Sequence, residues 1–321
     1  MLNGISIPGM LTYFRTTDLW SRREGDHMNY EEFKAKVLDR LKEDFPEGEI
    51  VVRKVLKNND QCMEALTIRE GDDNISPTLY LDQIYPAVEA GQEFEEAYLN
   101  LKEAYRQNRV EGNVDVSFIE DYQNVKDNVI YDLVSLDKNM KLLEDVPYDT
   151  YLDLAIVYRV LLKINDKGGS TMLIHNEHLK MWGICQEELR KDAIKNTPHL
   201  LPPVIENLSN LLMGMAEDMG QGDAELPELP MYVLTNETHM NGAGCILYHD
   251  VLKDFADEME EDLYILPSSI HEVLLVPASV GTDLSALSEL VEEVNDKEVE
   301  DAEILSGHAY FYSRQKGQVL S

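Results

Sequence analysis

The sequence predicts an α+β protein, with mixed or antiparallel sheets and covering helices arranged in two regions. Three observations carry this. Apolar residues recur every four positions in some stretches and alternate in others, the periods of helix and strand. The two kinds of stretch interleave along 321 residues with no repeat of fixed period. The acidic excess gathers in the carboxyl-terminal third. A chain of this length buries a core without covalent staples, and the length prior favours two domains or one large one.

Residues 1–27 scatter their apolar residues around Gly4, Pro8 and Gly9, with Arg22-Arg23 after the hydrophobic stretch, the reverse of a signal peptide. They are expected to be an extension, poorly ordered or not native. Met28-Asn-Tyr-Glu-Glu-Phe-Lys looks like the native start, because Asn29 can cap a helix whose first turn holds Glu31 and Glu32. Phe33, Val37 and Leu41 then share one face, and Pro46-Glu-Gly48 stops the helix. Residues 49–56 and 63–68, joined by Lys57-Asn-Asn-Asp60, predict a hairpin, and residues 78–81 a third strand.

Phe94, Tyr98, Leu101 and Tyr105 have helical spacing, and residues 116–125 repeat it with Phe118 and Tyr122. Residues 129–134 and 151–162 predict strands, though the second also fits a helix. Asn165-Asp-Lys-Gly-Gly-Ser170 is the hinge signal, since adjacent glycines adopt angles that cost other residues energy. It separates an amino-terminal α+β region, residues 28–165, from an acidic α+β region, residues 166–321.

The second region opens with a strand, 171–174, and a helix capped by Asn176 that buries Leu179 and Trp182 and stops at Gly183. Cys185 with Glu188 three positions on makes a weak capping box for the next helix. This helix–turn–helix-like pair carries Glu187, Glu188 and Asp192, which suits it badly to phosphate contact. A helix over 203–219 follows, then strands 231–235 and 245–248 around a glycine-rich turn. Helix 250–260, strands 263–266 and 272–277, helix 283–294 and strand 308–312 complete a sheet with helices on one face.

The chain holds 28 basic and 61 acidic residues, a net charge of −33. Between Pro203 and Leu305 stand 24 Asp or Glu against only Lys253 and Lys297. Strand-like runs within that segment argue for a folded acidic surface over a disordered tail. Such a field repels nucleic acid and anionic membrane and attracts cations. The run Glu258-Met-Glu-Glu-Asp262 sets carboxylates at a helix C-terminus, where they oppose the dipole. Glu258, Glu260, Glu261 and Asp262 are therefore candidate binding residues for a basic protein partner. No apolar run reaches the roughly 20 residues of a membrane helix. Cys62, Cys185 and Cys245 lie far apart with no C-x-x-C pair, so the expectation is a cytoplasmic protein without disulfides.

Several segments carry a resemblance: Asp153-Leu-Ala, Leu173-Ile-His-Asn-Glu-His-Leu-Lys-Met-Trp-Gly183, Asn196-Thr-Pro, Met231-Tyr-Val-Leu-Thr-Asn236 and Leu263-Tyr-Ile-Leu-Pro-Ser-Ser-Ile-His-Glu272. Together they resemble a domain-of-unknown-function family of anaerobic Gram-positive gut bacteria, over approximately residue 28 to the end. The resemblance implies a cytoplasmic bacterial protein, often encoded on mobile elements. It implies no activity and carries over no site residues.

An enzymatic alternative rests on Ser268-Ser269-Ile270-His271-Glu272, where Ser269, His271 and Glu272 could supply nucleophile, base and orienting carboxylate of a hydrolase, or else on His249, in a cleft expected between the two regions. Sequence neighbours rarely form a triad, and no G-x-S-x-G elbow is present. A tight turn whose hydroxyls satisfy backbone groups competes with it. His239, His249 and His271 match no metal signature, His175 and His178 share a helix start, and Asn241-Gly-Ala-Gly244 lacks a phosphate-loop lysine. No metal and no cofactor is expected. The leading expectation is a non-enzymatic acidic interaction protein that binds a basic partner, in one form by imitating DNA phosphates as anti-defence proteins of mobile elements do.

Overall fold

The computed structural model describes residues 28–321 except 75, 110, 111, 113–116, 166, 167, 219–229 and 282; side chains at 163–169 and 215–229 are also outside the description. The expected extension over residues 1–27 therefore lies outside the described residues. The chain divides into two compact units, one holding residues 28–57 and Gln61–Phe118, the other Asn58–Asp60 and Ile119–Ser321. Among the described residues the strands form three sheets, and every pairing is antiparallel. The fold is α+β.

The smaller unit follows its sequence pattern closely. Helix α1 (Tyr30–Asp44) starts where Asn29 accepts the Glu32 N–H and Glu32 returns to the Asn29 N–H, both at 3.0 Å. Its Phe33, Val37 and Leu41 are fully buried, each stabilising by about 1.5–3 kcal/mol. Strands β1 (Glu49–Leu56) and β2 (Cys62–Arg69) form the expected hairpin, and β3 (Thr78–Tyr80) pairs with β2. Helix α2 (Leu81–Glu89), which the sequence reading did not anticipate, and α3 (Phe94–Asn108) pack Leu81, Phe94, Tyr98, Leu101 and Tyr105 onto the α1 residues.

Of the expected helix over 116–125, the described residues form two short pieces, a 3-10 turn (Ser117–Glu120) and α4 (Tyr122–Val125). Strand β6 (Leu154–Asn165) runs through a four-stranded sheet, with β4 (Val129–Ser135) on one side and β5 (Tyr148–Tyr151) and β7 (Gly168–Leu173) against successive stretches of the other. The run that fitted either period is thus a strand. Gly168 and Gly169 lie in β7, paired with Asn165 and Ile164, and the described chain passes from one compact unit to the other between residues 57 and 58, 60 and 61, and 118 and 119.

Helices α5 (Asn176–Trp182) and α6 (Gln186–Leu200) form the helical corner. The cap of α5 is His175 and not Asn176, because the His178 ring reaches back to the His175 N–H at 2.9 Å as a capping-box glutamate would. At α6, Glu188 accepts the Cys185 N–H at 3.1 Å. The expected helix from 203 splits into β8 (Pro203–Asn207) and α7 (Leu208–Asp218). Val204 and Ile205 pair with Thr235 and Leu234 of β9 (Tyr232–Asn236), so edge pairing overrides their ambiguous local pattern.

Residues expected as a strand over 245–248 instead form a 3-10 segment, Gly242–Leu247. Gly242 explains it: a Cβ there would stand 2.1 Å from Thr235 Oγ1 and 2.5 Å from the His271 carbonyl, so the chain turns against β9 where only glycine fits. Helix α8 (Val251–Met259), strands β10 (Leu263–Leu266) and β11 (Val273–Pro277), helix α9 (Leu284–Glu298), β12 (Tyr310–Ser313) and β13 (Gln318–Leu320) finish the chain.

The six-stranded sheet runs β13-β12-β10-β11-β9-β8. Along β10 and β11 alternate side chains go to opposite faces. Leu266 and Val276 meet Leu287 and Val291 of α9, and Val233 meets Leu208 of α7. On the other face Leu263, Ile265, Val273 and Leu275 share a core with Tyr131, Leu133 and Tyr158 of the four-stranded sheet and with Leu252, Phe255 and Ala256 of α8. Helices therefore lie on both faces and not on one, because both faces are apolar and each must be covered.

Candidate functional site

Two regions contain the sequence-predicted residues. The first surrounds His271. Asp132, 2 % exposed on β4, accepts from Arg159 Nε of β6 and from Asn241 Nδ2, the latter at 2.8 Å. Asp132 and Arg159 are diagonal neighbours, since Asp132 faces Val157 and Arg159 faces Ile130. Asn241, in the left-handed region at φ 51°, turns its backbone N–H to His271 Nδ1 at 3.4 Å. His271 Nε2 lies 3.4 Å from Glu303.

The electrostatics follow from that geometry. Burial alone would push the His271 pKa down, but the Glu303 hydrogen bond and the charges of Glu303, Glu272 and Asp132 raise it above the ordinary histidine value. Burial pushes Asp132 up, against the pull of Arg159, Asn241 and His271. A carboxylate, guanidinium, amide and imidazole thus form one connected polar chain inside an apolar unit.

The candidate triad does not assemble as a catalytic relay. Ser269 is 1 % exposed, and its hydroxyl accepts the His271 backbone N–H at 3.0 Å, the geometry of a serine turn. Both His271 ring nitrogens are engaged by Asn241 and Glu303, and Glu272 is buried. The strand-like segment before and after Ile304 clamps this turn: Ile270 donates to the Glu303 carbonyl and Leu305 to that of Ser268. His249 stands apart, exposed and paired with Asp250 at 2.6 Å. Among the described residues no group of three or more His, Cys, Asp or Glu is placed to hold a metal ion. Cys62, Cys185 and Cys245 are free thiols.

The partners of His271 escaped the sequence reading. Their signal was an isolated charge in each of two apolar strand runs, Asp132 in Val-Ile-Tyr-Asp-Leu-Val and Arg159 in Val-Tyr-Arg-Val. Opposite charges embedded in buried strands demand each other.

The second region is the acidic surface. Glu258 and Glu260 are exposed at the end of α8, where Glu260 adopts φ 58°. Glu261 accepts the Ser279 N–H and Asp262 the Arg314 N–H, each at 2.8 Å, so these two carboxylates anchor loops. Arg314 also pairs with Asp257 at 2.9 Å. Asp257, Glu260 and Asp262 line a depression of about 440 Å³ with Arg314 and Gln315. On α9 the solvent side shows Glu289, Glu292, Glu293 and Asp296, opposite the buried Leu287, Val291 and Asn295. Lys297 is the one cation of that helix and is held by Glu293 at 2.5 Å.

The model of a family of unknown function, DUF5688, matches residues 30–314, from the first turn of α1 to the arginine that ties α8 to the sheet. The chain belongs to this family. No curated protein and no solved structure matches it. The DUF5688 match spans both compact units and includes the His271 chain and the α9 carboxylates alike. No helix among the described residues of this DUF5688 protein is long and apolar enough to cross a membrane.

Proposed function

We propose that this protein is a non-enzymatic, acidic interaction protein of the bacterial cytoplasm that binds a basic partner through its carboxyl-terminal surface. The observation that supports the reading is α9: its apolar stripe is spent on the sheet, while its outer side is a row of carboxylates with one lysine among them. Residues three and four apart on a helix stand about 5–6 Å from one another, so the row is dense and self-repelling. That repulsion costs stability, and a cationic partner relieves it. Glu258 and Glu260 extend the same sign of charge at the end of α8.

The test is capture from bacterial lysate by the parent and by a Glu289→Gln, Glu293→Gln, Glu298→Gln variant. Basic proteins should be retained by the parent near 0.1 M salt and released near 1 M, as the screening length falls from about 10 Å to about 3 Å. The variant should retain far less. Equal retention by both proteins, or retention insensitive to salt, would sink the reading. The finer form, imitation of DNA phosphates against a defence protein of the kind mobile elements meet, adds one requirement: duplex DNA should displace the captured partner.

A further inference from the structure

Strand β1 is an edge. It pairs with β2 from Glu49 opposite Arg69 to Leu56 opposite Cys62 with no register shift, and the sheet order β1-β2-β3 leaves its other side without a strand among the described residues. A long edge with neither bulge nor proline is a template for a further strand, and proteins commonly blunt such edges with charge. The charges of β1 stand in an order that instead complements β1 itself.

The hairpin fixes which backbone groups of β1 face outward. Lys57 donates its N–H to the Gln61 carbonyl at 2.8 Å, and hydrogen-bonded pairs alternate with non-bonded ones along an antiparallel ladder. Val51, Arg53 and Val55 therefore turn N–H and C=O toward β2, and Ile50, Val52 and Lys54 turn theirs away from it. The residue opposite Ile50 agrees: Ile68 gives its N–H to Ser76 Oγ at 3.2 Å and accepts the Ser76 hydroxyl at 2.6 Å, on the side away from β1. Side chains alternate too. Ile50 and Val52 pack on the core of the smaller unit, while Glu49, Val51 and Arg53 share the opposite face.

We propose that β1 pairs with β1 of a second copy of this chain, antiparallel about a two-fold axis through Val51, so that two three-stranded sheets become one of six. In that register Ile50 of each copy exchanges both backbone bonds with Val52 of the other, and their apolar side chains meet on the core face. On the opposite face Glu49 of each copy stands against Arg53 of the other. Glu49 is 3.6 Å from Arg69 in its own chain, whereas Arg53 is exposed and makes no ion pair among the described residues. Other registers that use the outward groups fit worse. An axis through Val52 sets Ile50 against Lys54, and one through Arg53 sets two arginines face to face. The contact is the same patch on both copies and closes on itself, so it makes a dimer and not a fibre.

The experiment is sedimentation velocity of the full chain over a concentration series. Salt of about 0.15 M screens the repulsion between two chains of net charge −33 beyond about 8 Å and leaves contacting pairs largely intact. The parent should dimerise. Arg53→Glu and Glu49→Arg each set like charges opposite one another twice per dimer, and each should raise the dimer Kd at least about tenfold. Both positions are exposed, so the variant monomers should fold as the parent does. Mixed in equal amounts, the two variants should recover dimer to within about threefold of the parent affinity, because every cross-strand pair is again Glu against Arg. Hydrogen exchange at the Ile50 and Val52 amides should be slow in the dimer and fast in the Arg53→Glu monomer. A parent still monomeric at about 100 µM, where a complex of micromolar Kd is saturated, overturns the proposal. So does a dimer indifferent to both variants, or a mixture that fails to recover. Slow Ile50 and Val52 amides in a monomeric parent would assign the edge to another segment and overturn it equally.

Discussion

Asn241 donates from Nδ2 to Asp132 Oδ2 at 2.8 Å across 109 residues of chain, joining the loop after β9 to the middle of β4. The bond satisfies a carboxylate that is 2 % exposed, and it needs the left-handed backbone of Asn241 to reach it. Removing it leaves buried charge with one donor fewer.

Asn241→Ala should therefore lose about 1–3 kcal/mol for the unsatisfied Asp132, plus about 1–2 kcal/mol for holding alanine at positive φ. Asn241→Gly should lose only the first part. Denaturant unfolding of both variants checks this, and a glycine variant as stable as the parent would show the hydrogen bond contributes nothing.

The raised pKa of His271 sets a direction for pH dependence. A histidine whose folded pKa exceeds its unfolded value of about 6.5 contributes stability that is complete below that value and is lost as pH climbs through the folded pKa. The stability difference between parent and His271→Gln should thus shrink steadily as unfolding is measured from acid to alkaline pH. A difference that grew with pH would reverse the assigned roles of Glu303, Glu272 and Asp132.

Gly242→Ala should be among the most damaging single methyl additions, about 3 kcal/mol, because its Cβ would stand 2.5 Å from the His271 carbonyl and 2.8 Å from the Asn236 nitrogen. Gly183→Ala provides the contrast. Nothing lies within 4 Å of its added Cβ, so only its φ of 67° is penalised, at about 1–2 kcal/mol. Thermal unfolding should rank the two variants in that order.

Trp182 is half-buried, packs against the main core, and donates from Nε1 to the Ile119 carbonyl at 2.7 Å. It stacks on His178 at 5.4 Å and lies 5.5 Å from Tyr122. Trp182→Ala should cost about 3 kcal/mol, the lower end for a tryptophan truncation because burial is partial. An unchanged denaturant midpoint would mean the ring contributes only surface.

The charge of the candidate site was legible in the chain, and its geometry was not. The surplus between Pro203 and Leu305 located the acidic surface, but of the four carboxylates picked from the α8 run, Glu261 and Asp262 are occupied by backbone amides of Ser279 and Arg314. Those amides lie 18 and 52 residues away in sequence, beyond any local pattern. The exposed row on α9 emerges only once Leu287 and Val291 are seen against Leu266 and Val276.

By itself the sequence determined what short-range chemistry can determine. The Asn29 capping box, the stripe of Phe33, Val37 and Leu41, the hairpin around Lys57-Asn-Asn-Asp60 and the α+β class all follow from periods and turn residues a few positions apart. Only the tertiary structure decided that Pro203–Asn207 is a strand, that the segment after Asn241 is a 3-10 turn, and that Asp132, Arg159, Asn241, His271 and Glu303 form one chain. Each of those outcomes depends on a partner far along the chain, whether β9 for the strand, the His271 carbonyl for the turn or an opposite charge for Asp132. Local propensity differs by less than a kilocalorie per residue between helix and strand, so such partners settle the result.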